Sequence, residues 1–154
     1  MTITTSGSLL YGHDLGGGDK PWQLTTADAT GPGLAWYDPA AARADVADFA
    51  DQAHRHLLAA LGIHADPDLD DLHELAAEHA GVHIERYSWE VAPSFILTAH
   101  ATTAFYDTPT AVDLLDLDRR RTAERWDERL TTAAGHLGLA PHNPSPRWLL
   151  TSSQ

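Results

Sequence analysis

Two adjoining segments switch the spacing of their apolar residues to a period of two, and that switch decides the fold class. "VHIERYSW" (82–89) and "SFILTAHATTAFY" (94–106) alternate in the manner of half-buried strands, and the short connector "EVAP" joins them. On either side the period is helical. Asp38 can cap a first helix with Pro39 at its first position, and Val46, Phe49, Ala53, Leu57 and Leu61 then form one stripe. Gly62 ends that helix, with Ile63 behind it. A second helix is predicted from about Asp68 to Ala80, on Leu69, Leu72, Ala76 and Ala80, and Gly81 stops it. A third spans roughly Arg119 to Leu137, on Trp126, Leu130, Ala133 and Leu137, before Gly138.

"SLLY" (8–11), "LAWY" (34–37) and "RWLLTSS" (147–153) read as further short strands. Residues 1–7 read as a frayed tail. Residues 12–38 form an irregular, glycine-rich segment that Trp22, Trp36 and Tyr37 anchor to the core. The expected fold is α+β in a single domain of 154 residues. Its small, mainly antiparallel sheet of about three to five strands carries three helices on one face.

Composition narrows the function classes. The chain has no cysteine, which excludes disulfides and cysteine-ligated metal centres. No apolar run approaches the roughly 20 residues of a membrane span, and the start lacks a signal-peptide pattern. A cytoplasmic protein with no membrane partner is expected. A net charge of −12 repels phosphate backbones, so no nucleic-acid partner is expected. Arg119, Arg120 and Arg121 share their stretch with Asp116, Asp118, Glu124, Asp127 and Glu128, which reads as a solvated helix face. Abundant alanine and arginine beside a single lysine and a single asparagine suggest a bacterial genome of high GC content.

Three familiar patterns fail on inspection. "GHDLGGGDKPW" (12–22) has Asp19 and Pro21 where a phosphate loop needs glycine and a hydroxyl, so the glycines explain a bend. In "HELAAEH" (73–79) the histidines are six apart and diverge around the helix. "DPDLDD" (66–71) lacks the glycine and the distal glutamate of a calcium loop, and suits a helix start instead.

One constellation survives. If "EVAP" is the hairpin loop, Trp89 faces Ser94, Glu85 faces Thr98, and His83 faces His100. His83, His100 and Glu85 would then converge on the exposed sheet face, able to hold a divalent metal or to act as an acid–base set. A slip of two residues keeps the same faces but separates the histidines. Arg86 falls on the core face, where it must snorkel from the sheet edge or find a helix carboxylate.

With no intact catalytic motif and no predicted cofactor, the first expectation is a small acidic, non-catalytic protein. It would act through protein contacts, as an accessory, inhibitor or immunity protein, or through self-association at a sheet edge. The alternatives are a metal- or histidine-dependent enzyme built on His83, His100 and Glu85, and a small-ligand module whose pocket lies near Trp22 or Trp36.

Overall fold

The computed structural model describes residues 6–64, 71–88 and 92–153. Four strands form one antiparallel sheet: β1 (Ser6–Gly16), β2 (His83–Tyr87), β3 (Ser94–Phe105) and β4 (Arg147–Ser153), in the order β2-β3-β1-β4. The helices are α1 (Pro39–Arg43), α2 (Phe49–Ala60), α3 (Leu72–Ala80), α4 (Leu114–Ala123) and α5 (Trp126–Leu137). This is the α+β architecture read from the sequence, with two of the expected helices each broken in two.

Both breaks lie at non-glycine residues with positive φ. Asp45 (φ 59°) ends the turn after α1, and Asp48 then restarts the chain as α2 with a reciprocal capping box to Asp51. Val46 therefore leaves the expected stripe and is exposed. Arg125 (φ 56°) separates α4 from α5. Helix α3 starts at Leu72 without a side-chain cap from Asp71; the earlier aspartates and the first half of "EVAP" (Glu90 and Val91) lie outside the described residues. "LAWY" (34–37) forms turns, not a strand, and "SLLY" is the centre of a longer one.

The core lies between the sheet and the helices. Phe49, Ala53 and Leu57 of α2, Ala76 of α3, and Trp126, Leu130, Ala133 and Leu137 of α5 meet Tyr11, Leu15, Ile84, Phe95 and Leu97 of the sheet. The irregular segment is anchored by its aromatics as expected. Trp22 lies 4.9 Å from Phe49 and stacks on Phe95, Trp36 lies 5.3 Å from Phe49, and the Trp36 indole donates to the Leu137 carbonyl. Gly16, Gly17 and Gly18 all have positive φ, and a Cβ at Gly17 would strike the Trp22 ring at 2.7 Å. The triple glycine is thus a bend that lets Trp22 fold back.

The sheet is coiled. Four flat strands would set β2 and β4 about 14 Å apart, yet they approach within 8 Å between Cα atoms. A helix is roughly 10 Å across, so the hollow faces away from the helices. Leu10, Ile96 and Thr98 are buried without any helix in the hydrophobic cluster needing to cover that side.

Candidate functional site

The hairpin register decides the fate of the histidine cluster. His83 pairs with Thr98, Glu85 with Ile96, and Tyr87 with Ser94. The expected pairing of His83 with His100 is therefore slipped by two residues. Such a slip leaves every side chain on its face, so core burial does not oppose it.

A second irregularity carries His100 further away. The β1–β3 pairing steps from Tyr11–His100 to Gly12–Thr98, leaving Ala99 as an extra residue on β3. A bulge reverses the alternation, and His100 emerges on the helix side, stacked 5.1 Å from Trp126. The Thr98 hydroxyl secures the bulge, donating to the His100 carbonyl at 2.6 Å and lying 3.0 Å from the Tyr11 carbonyl. Gly12 fits this close approach because a Cβ there would lie 1.8 Å from the Leu97 oxygen.

His83 and Glu85 stay together. The His83 Nε2 lies 2.7 Å from Glu85 Oε1, and that bond holds the carboxyl below its ordinary range. The His73 ring is 6.2 Å from the His83 ring. A carboxylate-oriented imidazole can accept a proton, but His100 does not complete the set. Among the described residues no three His, Asp or Glu side chains converge as a metal site. His100 instead hydrogen-bonds Thr102 at 2.7 Å, and burial lowers its pKa. It belongs to an aromatic cluster with Tyr11, Trp126 and Trp148. The Tyr11 hydroxyl donates to Asp127, and burial followed by that bond pushes its pKa up to about 12.

The two edges of the sheet are treated differently. At the β2 edge the Ile84 N–H, which has no strand partner there, donates to His54 Nε2 of α2 at 2.9 Å. Arg86 meets both Asp48 oxygens at 2.6 and 2.8 Å and Asp51 at 3.1 Å. The core-face arginine has thus found its helix carboxylates. Helix α2 covers this edge with a ring nitrogen and an ion pair.

Among the described residues, strand β4 has no such guard. It pairs with β1 from Gly12–Arg147 to Ser6–Ser153 without a register shift. Beyond its first residue it carries no charge and no proline, so the usual devices that blunt an edge are missing. It shares only one row with β2, running His83–Thr98–Gly12–Arg147, and then runs away from it. Leu150 on this strand is 82% exposed and Trp148 is 37% exposed. Phe105 and Tyr106 are exposed where β3 ends, and Phe105 lies on the row Phe105–Ser6–Ser153 at the far end of β4. Leu114 and Leu115, also exposed, open α4 after a connector that Thr110 ties to the Thr103 carbonyl.

The sequence held one signal for this surface. Leu149 and Leu150 are adjacent in a strand, so they take opposite faces and one must lie outside a half-buried sheet. No family model, curated protein or solved structure matches the chain in comparison.

Proposed function

We propose that the chain is a non-catalytic protein-binding domain of the accessory, inhibitor or immunity type, which takes an extended segment of a basic partner along the open edge of β4. The observation that carries this reading is the contrast between the edges: α2 guards β2, while no described residue pairs with the outer edge of β4 beside Leu150 and Trp148. An added strand supplies main-chain hydrogen bonds, and apolar pockets beside the edge supply selectivity. The charge of −12 favours a cationic partner and disfavours a second copy at long range. No helix among the described residues is long and apolar enough to cross a membrane.

The test is amide hydrogen exchange on β4 with and without proteins retained from an extract. Partner-bound protein should protect amides from Leu149 to Ser153, and Leu150→Lys should lose both partner and protection. Binding should weaken as salt rises. Unchanged exchange in β4 within an isolated complex refutes the edge. Protection that grows with the concentration of the pure protein refutes the basic partner in favour of a second copy.

A further inference from the structure

Strand β4 leaves β1 at Gly12, while β1 continues to Gly16. Two connectors that pair with one another close the gap. Thr25 N–H donates to the Ala140 carbonyl, and His142 N–H donates to the Gln23 carbonyl, both at 2.9 Å. Behind them lies a pocket of about 280 Å³, close to the lower size of small-molecule sites.

Arg147 lines this pocket, and like Arg43 and Arg129 it has no carboxylate partner among the described residues. Acidic residues outnumber basic ones 22 to 10, and Arg86, Arg119, Arg120, Arg121 and Arg125 each meet a carboxylate. Among the described residues the Arg147 guanidinium meets none. Asp14 lines the same pocket, but its Oδ1 already accepts from the Gly16 N–H and the Tyr87 hydroxyl.

The rest of the lining is rich in donors. Gln23 and Ser145 both line it, and neither side chain has a hydrogen bond to a described residue. His13, buried, also lines it. Burial lowers the His13 pKa, so the ring is neutral at pH 7 and adds no second positive charge. Leu149 supplies an apolar wall.

We propose that this pocket binds a small monocarboxylate, with the carboxylate on the Arg147 fork and the Gln23 amide and the body between Leu149 and the His13 ring. A planar guanidinium matches a carboxylate bidentately. One cation, with Asp14 at the rim and a strongly negative chain around it, suits a single negative charge better than the two of a phosphate.

The experiment is an NMR titration of the Gln23 side-chain amide and the His13 ring with acetate, lactate and inorganic phosphate. Acetate and lactate should give saturable shifts. Arg147→Gln should weaken them about tenfold or more, as loss of a charge-assisted pair requires. Arg147 is exposed, so the variant should fold, and unchanged resonances elsewhere would verify it. Leu150→Lys should bind the carboxylates normally, which separates this site from the β4 edge. The proposal is overturned by the absence of saturable shifts, by undiminished binding in Arg147→Gln, or by phosphate binding tighter than both carboxylates.

Discussion

His54 gives the fold a measurable acid sensitivity. Its Nε2 accepts from the Ile84 N–H at 2.9 Å, so the ring must be neutral with its proton on Nδ1. Burial, reinforced by His83, Arg86 and His73, lowers its pKa to about 3, while Asp48 acts weakly in the other direction. The unfolded chain, with an ordinary histidine pKa near 6.5, therefore takes the proton first as pH falls. The stability this ring contributes is complete above pH 6.5 and is lost progressively toward pH 3. Between pH 7 and pH 5 the unfolded state gains about 2 kcal/mol from this site alone. Urea unfolding of the parent and His54→Gln at both pH values tests this. Glutamine keeps an acceptor for Ile84 and cannot titrate, so the other buried histidines and the carboxylates cancel in the comparison. The parent should lose about 2 kcal/mol more than the variant over that interval. Equal losses would show that His54 does not hold the β2 edge as a neutral acceptor.

Other perturbations follow from the same geometry. Asp48→Ala removes a helix cap and a partner of Arg86, and should cost about 2–4 kcal/mol in denaturant unfolding. Asp48→Asn keeps the cap and should cost less. Gly12→Ala forces a methyl to 1.8 Å from the Leu97 oxygen and should destabilise by more than about 3 kcal/mol or prevent folding. Gly62→Ala, with open space around it but φ +80°, should cost only about 1 kcal/mol, which thermal melts of the two variants can compare. Leu150→Lys should leave the melting temperature within about 2 °C of the parent, since a surface change is worth under about 0.5 kcal/mol.

What could be read from the chain was mostly periodicity. The alternation in 82–89 and 94–106 located β2 and β3, and the stripe Trp126, Leu130, Ala133, Leu137 located α5. The breaks at Asp45 and Arg125 were hidden because positive φ is ordinarily signalled by glycine, and neither residue is one. The His83–His100 pairing failed for two physical reasons. Alternation fixes faces but not slips of two, and the extra Ala99 on β3 inverts the faces beyond it without any mark in the apolar pattern. Arg86 was legible as a problem and not as a solution, since its partners lie 38 and 35 residues away in a helix cap.

A sheet with one covered edge can only count to a small number. If both edges were bare, each molecule could accept a neighbour on one side and offer itself on the other, and growth would have no end. Here His54 and the Arg86–Asp48 pair remove one of the two ends, so any strand added at β4 also terminates the structure. The arrangement is a stopper, and it is conditional. Protonating His54 takes away the acceptor that occupies the Ile84 N–H and leaves the Arg86–Asp48 pair as the remaining cover, so acid weakens the stopper.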